Sequence, residues 1–245
     1  MLEPSLILSD NSKVKFRPNH RNTFGLNYGL PEDGGTCPGA TKGCGGCLDV
    51  ITGRKRQTCY MVKITQIYKT VGEILDKNTQ LLVGKSYEEM VGVFTNTFQN
   101  FVNKNKKEDW FFRCTYSGDF FSEKCAQAFV EAVKKFPEVQ FWLYTRSHQY
   151  VKMLSSVPNV AVYISCDPVN KESGYEVFKE LQHRNNVGIA MMGDKEEMQD
   201  VRFVTCPETS GKIKNTNDAG ACSKCRLCFT YSDKIKLRAI RFNIH

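Results

Sequence analysis

The amino-acid sequence predicts an α/β protein built on a parallel sheet, and three observations carry that expectation. Beyond Asp109, short apolar runs alternate with segments of helical period at the spacing of βα units. Each run ends in polar residues, as strands do where parallel α/β folds build their sites. Eight of the eleven cysteines fall into two compact groups, one after the first strand-like stretch and one at and beyond the end of the last.

Residues 1–20 show little periodicity and read as an irregular arm. Residues 22–30 (NTFGLNYGL) form a short first strand, and PEDGG then breaks the chain and delivers it to a cysteine loop. From Tyr60 the apolar residues Met61, Ile64, Ile67, Tyr68, Val71, Ile74 and Leu75 recur at three- and four-residue steps, which predicts a helix. A second helix spans about 87–102, with Met90, Val91, Phe94, Phe98 and Phe101 on one face to pack on the sheet. The remaining strands are 110–119, 139–147, 159–167, 186–194 and 201–208. Helical pieces 122–136, 148–157 and 173–184 lie between them, the first with Ser122 as N-cap.

Composition is that of an ordinary globular chain, 41% hydrophobic and 24% charged. No segment approaches the length of an apolar membrane span, and the first residues lack a basic stretch followed by a long apolar run, so a cytoplasmic location is expected. In a reducing compartment clustered thiols are metal ligands or catalytic groups more often than disulfide partners. Cys114, Cys125 and Cys166 sit in apolar segments and read as ordinary buried thiols, and His148 and His183 as surface residues. His20 and His245 lie near the termini. The net charge of +8, densest at 54–56, 104–107 and 234–241, is compatible with a nucleic-acid partner without requiring one.

The first cysteine group is Cys37, Cys44, Cys47 and Cys59, with glycines between that let backbone N–H groups point at cluster sulfides. The second is Cys222, Cys225 and Cys228, a C-x2-C-x2-C triplet, with Cys206 upstream across a loop. An overlapping triplet with a distant fourth thiol is similar to ferredoxin-type ligation of a [4Fe–4S] cluster. Structural zinc more often takes two separated C-x2-C hooks.

The glycine-lined cysteine loop, followed by a βα series whose next strand ends in Ser117-Gly118-Asp119, resembles the partial (β/α)6 barrel of the radical S-adenosylmethionine superfamily. Cys-Pro-Gly-Ala-Thr at 37–41, Cys59-Tyr60, the Ser-Gly-Asp-Phe and Tyr-Thr-Arg-Ser strand ends and the closing Cys-x2-Cys-x2-Cys-Phe together resemble the family of small, mostly phage-encoded proteins known as gene product eighty-eight.

The resemblance implies a TIM-like partial barrel over 1–208, carrying its cluster loop at 37–59, and a cysteine-rich extension over 209–245. It implies a [4Fe–4S] cluster held by three cysteines with one iron open to S-adenosylmethionine, whose reductive cleavage yields a 5′-deoxyadenosyl radical. Gly118 and Asp119 then correspond to the motif beside the methionine amino group, and Arg146, Ser165 and Asp167 to contacts with the carboxylate or ribose. This chain departs from the superfamily's C-x3-C-x2-C spacing, and it has a fourth candidate ligand, Cys59.

Two classes of function follow. One is a radical enzyme with an auxiliary C-terminal cluster and an external electron donor, working in the host cytoplasm if phage-encoded. The other is a non-catalytic protein whose one or two fully thiolate-bound clusters serve electron transfer, redox sensing or binding of a partner such as nucleic acid. A protein with structural zinc is the third reading. No substrate is legible.

Overall fold

Six strands follow the apolar runs of the sequence. They are β2 (Arg21–Gly25), β3 (Phe111–Ser117), β4 (Gln140–Thr145), β5 (Val160–Cys166), β6 (Val187–Met192) and the two-residue β7 (Val204–Thr205). The computed structural model describes residues 3–40, 59–192, 201, 203–229 and 239–242. Two further strands were not expected: β1 (Ser9–Asp10), in the supposedly irregular arm, and β8 (Ala239–Phe242) at the end of the basic run.

The sheet order is β1-β2-β3-β4-β5-β6-β8-β7. Only β1 runs antiparallel to its neighbour; every other pair is parallel. The result is an open, mostly parallel eight-stranded sheet with β1 and β7 at its edges. The residues expected as a separate extension after 208 return a strand to this sheet, since β8 lies between β6 and β7.

Helices supply the crossovers that parallel pairing needs. They are α1 (Tyr60–Ile67), α2 (Lys69–Gln80), α3 (Tyr87–Lys104), α4 (Glu123–Lys134), the single-turn α5 (Val151–Leu154), α6 (Lys171–Leu181) and the short α7 (Ala221–Cys225). The expected first helix is broken at Tyr68, whose extended backbone (φ −118°, ψ 90°) separates α1 from α2. α3 opens on a reciprocal capping box: the Ser86 hydroxyl accepts from the Glu89 N–H, and the Glu89 carboxylate accepts from the Ser86 N–H. Ser122 caps α4 by accepting from the Cys125 N–H, as its position predicts.

Strands paired in parallel are buried on both faces. On one face α3 and α4 lay Phe94, Phe98, Phe101 and Phe129 against Phe24, Phe112 and Phe141 of the sheet. Many of these rings meet edge to face, Phe98 on Phe141 at 4.9 Å and Phe101 on Phe112 at 5.0 Å. Such pairs add about 0.5–1.5 kcal/mol each beyond the area they bury. Cys114, Cys125 and Cys166 belong to this helix-side core, as expected, and burial pushes their thiols up, that of Cys166 to about 12. The opposite face carries Trp142, Tyr163, Ala161, Ala190 and Ile240, covered by Val14 and Phe229. Among the described residues no helix is long and apolar enough to cross a membrane.

His183 is exposed, as expected, but His148 is not a surface residue. Its Nε2 donates to the Ser165 carbonyl at 3.1 Å and its Nδ1 faces the Ser173 hydroxyl at 3.3 Å, so it ties the turn after β4 to the end of β5 and to α6. His20 is fully buried between Phe16 and Phe101, and its Nδ1 accepts the Phe16 N–H at 3.1 Å. That bond requires a neutral ring, and burial lowers its pKa from 6.5 to about 4, with Asp109 and Asp10 opposing the shift and Arg17 reinforcing it.

The unfolded chain therefore binds a proton that the fold excludes, so this contribution to stability is complete above pH 6.5 and is lost as pH falls towards about 4. Urea unfolding at pH 7, 5.5 and 4.5 should show wild type losing stability through that window. His20→Gln, which keeps an acceptor without the titration, should lose less; an equal loss in both would exclude His20 as the group responsible.

Candidate functional site

The open face of the sheet is where the C-terminal cysteine segment lies. Phe229 anchors it, its ring 4.4 Å from that of Trp142 and 5.1 Å from that of Phe111. Two residues earlier the Leu227 carbonyl accepts from the Tyr163 hydroxyl. The N-terminal arm holds the other end: the Cys222 N–H donates to the Lys13 carbonyl at 3.0 Å, and Gly220 packs so close that a Cβ would stand 2.3 Å from that same oxygen. Cys206 follows β7, its N–H donating to the Arg241 carbonyl beside it on β8.

This arrangement brings Cys206, Cys222, Cys225 and Cys228 to the wall of a single cavity of about 290 Å³. Cys222 and Cys225 are one turn apart on α7 and share a face. Arg226 then takes a left-handed conformation (φ 57°), turning the chain so that Cys228 also faces inward. Trp142, Ala190, Ile240 and Phe242 form the apolar floor, and Lys13 pairs with Glu208 at 2.8 Å beside it.

Burial pushes the Cys222 thiol up to about 11, with Arg113 and Lys13 pulling the other way and Cys206 and Cys225 adding to it. Cys228 is driven further up, first by burial and then by Cys222. The Tyr144 hydroxyl, itself held far above its usual range by burial, donates to the Cys228 sulfur at 2.9 Å. Desolvated thiols crowded in this way ionise only when a cation accompanies them, which is the condition that metal ligation meets. Among the described residues no three Cys, His, Asp or Glu side chains close on one point as ligands of a single ion.

The carboxyl ends of β3, β4 and β5 gather the other predicted residues. Asp119 is buried there, its Oδ1 accepting from the Thr145 hydroxyl (2.7 Å) and the Phe120 N–H (2.8 Å), its Oδ2 from the N–H groups of Arg146 (2.7 Å) and Ser147 (3.2 Å). Burial raises its pKa and these bonds oppose the rise. The Arg146 guanidinium donates to Asp167 Oδ2 at 2.6 Å, and Asp167 Oδ1 accepts from the Val169 and Asn170 N–H groups. Gly118 has φ 74°, and a Cβ would meet the Thr36 hydroxyl at 2.4 Å.

The Cys37 turn packs on this rim, close enough that a Cβ on Gly39 would stand 2.0 Å from the Arg146 carbonyl. Cys59 is the N-cap of α1, and the next residue, Tyr60, lines the cavity and donates to the Tyr116 carbonyl. Cys44 and Cys47 lie outside the described residues, as do Gly193 and Asp194 at the expected end of β6.

The structure thus unites the four C-terminal cysteines, sets Ser165 on the same cavity, and joins Asp119, Arg146 and Asp167 in a neighbouring polar network. The C-terminal triplet lies across the sheet's open face, whereas both cysteine groups were expected at the strand ends. Sequence reasoning passed over Arg113 and Tyr144, both of which line the cavity. The signal for Arg113 was present: it is the one charge inside the run WFFRCTYS.

A family model described as Gene product 88 matches residues 6–231. The chain is 31% identical over 211 residues to the gene 88 protein of Mycobacterium phage L5, which spans 82% of each chain. It is 29% identical over 209 residues to the gene 88 protein of Mycobacterium phage D29, again 82% of each. No solved structure matches.

Removing the Asp119 carboxylate leaves the Thr145 hydroxyl and the Phe120 and Arg146 N–H groups without their acceptor, while the Ser147 N–H keeps the Thr145 oxygen at 3.0 Å. Asp119→Ala should cost about 2–4 kcal/mol in urea unfolding, and Asp119→Asn, which keeps one acceptor, clearly less. Equal stability of Asp119→Ala and wild type would show that the carboxylate does not hold the strand ends together.

Proposed function

The chain belongs to the gene product 88 family, and we propose that it is an iron–sulfur protein whose C-terminal cluster is held by Cys206, Cys222, Cys225 and Cys228. The single observation that carries this reading is that all four thiols line one mostly apolar cavity together with Arg113 and Arg226. Thiolates on a cube of iron and sulfide form an anionic group, and the apolar floor, the Tyr144 hydroxyl and the Arg113 guanidinium match its needs in turn. The triplet spacing supports iron–sulfur over structural zinc. When bound, such a cluster supplies one-electron chemistry, and this chain's own residues seat it, shield it and set its charge environment.

Cys37 and Cys59, with Cys44 and Cys47, are proposed ligands of a second cluster. One observation favours the catalytic form of this reading. The consecutive parallel order from β2 to β6, within an open sheet, is compatible with the wall of a partial (β/α)6 barrel, and the Cys37 turn packs at the carboxyl ends of these strands beside Gly118, Asp119, Arg146 and Asp167. In that form S-adenosylmethionine binds at the rim and an external donor supplies the electron. In the other form both clusters are fully thiolate-bound and serve electron transfer, sensing or a partner such as nucleic acid. A cytoplasmic site of action, in the host cell, accompanies either form.

Iron and acid-labile sulfide are to be measured on anaerobically purified protein. Wild type should be brown with about four iron and four sulfide per occupied site, and the double variant Cys222→Ser/Cys228→Ser should lose one cluster's share while Cys114→Ser and Cys125→Ser lose none. A colourless, zinc-loaded wild type would end the cluster reading. In the same preparation, a change in the electron paramagnetic resonance of the reduced N-terminal cluster on adding S-adenosylmethionine supports the catalytic form, and no change supports the other.

A further inference from the structure

The structure assigns Arg113 as the counter-cation of the C-terminal cysteine centre, a positioning residue that offsets the negative charge of the bound cluster and raises its reduction potential. The assignment rests on the iron–sulfur reading of that cavity. Arg113 projects from β3 onto the open face, where it lines the cavity with all four cysteines, and its charge acts on Cys222. Among the described residues no carboxylate pairs with it, and its Nε is buried without a hydrogen-bond partner. Its guanidinium carbon stands 5.5 Å from the centroid of the Tyr144 ring, the same tyrosine whose hydroxyl donates to Cys228.

A buried N–H of a guanidinium left unpaired costs more than a neutral one, so a fold that keeps it there must meet that charge with an anion. Glu208, the acid that also lines this cavity, is already paired with Lys13. Among the described residues the remaining candidates for the anion at this cavity are the thiolates.

The backbone reinforces the point. Between the pairs Thr23–Arg113 and Gly25–Ser117, β3 takes four steps where β2 takes two, and Thr115 within that bulge has φ 46°. A β-branched residue in the left-handed region is a costly conformation, and bulges of this kind re-aim side chains beside functional sites. Pairing of β3 with β4 also stops at Arg113 opposite Trp142. The irregularity begins at the arginine.

One-electron reduction makes a thiolate-bound cluster more negative by one charge, and a nearby fixed cation stabilises the reduced state more than the oxidised one. The Tyr144 O–H bond to the Cys228 sulfur acts in the same direction.

The test is a dithionite potentiometric titration, followed by electron paramagnetic resonance, of anaerobically prepared wild type, Arg113→Met, Arg113→Lys and Tyr144→Phe. The signal to follow is the one that Cys222→Ser/Cys228→Ser abolishes. Arg113→Met should retain iron and shift this midpoint to lower potential; Arg113→Lys should shift it less, and Tyr144→Phe should also lower it. Retained iron with an unmoved midpoint in Arg113→Met overturns the assignment while leaving the cluster reading intact. Should Arg113→Met lose the cluster, recovery of iron in Arg113→Lys supports the charge role, and no recovery overturns it. Wild type without iron overturns the cluster reading, and the assignment with it.

Discussion

The open face of the parallel sheet sets the terms for the rest of the molecule. Helices α3 to α6 cover one side of the strands, and a sheet of this kind does not leave the other side to water. Here that cover comes from the two ends of the chain: the N-terminal arm with Val14 and Phe16, and the cysteine segment pinned by Phe229 against Trp142 and Phe111. Cys206, Cys222, Cys225 and Cys228, half-buried, are carried onto one cavity wall by this packing, so the site is inherited from the way the fold closes.

That placement has an electrostatic consequence. Thiols held against an apolar floor resist ionisation, as the upward shifts at Cys222 and Cys228 express, while Arg113, which has no carboxylate partner among the described residues, lines the same cavity. Each half is unfavourable alone. The thiolate-bound cluster proposed for this cavity would resolve both, because it would bring cationic iron to the thiols and a net negative charge to Arg113. The polar rim is of a different kind: Asp119 and Asp167 are already met by donors from their own loops, and the rim joins the strand ends into one unit with the Cys37 turn upon it.

Most of the sheet was legible because strands β3 to β6 are continuous apolar runs, and α3 and α4 show an uninterrupted helical period ending in clear caps. β8 escaped because Ala239–Phe242 is a short segment closing a basic run, and its place between β6 and β7 is fixed by tertiary pairing rather than by local pattern. The break at Tyr68 was hidden because apolar spacing continues through it. Of the site, the cysteine groups were evident from spacing alone. What spacing does not reveal is which face of the sheet a segment crosses, so the meeting of the triplet with Arg113 and Tyr144 emerged only from the fold. His148 was misplaced for a similar reason: a polar residue in a helical segment reads as surface unless its partners, the Ser165 carbonyl and Ser173, are seen.

The central claim is that the four C-terminal thiols enclose iron. Crystals grown and frozen without oxygen, with diffraction recorded on both sides of the iron absorption edge, test it most directly. The iron–sulfur assignment predicts a compact anomalous peak inside the cavity, bounded by Cys206, Cys222, Cys225 and Cys228 and faced by Arg113. A peak that appears only above the zinc edge, or a cavity with no anomalous scatterer beyond the cysteine sulfurs themselves, would contradict it.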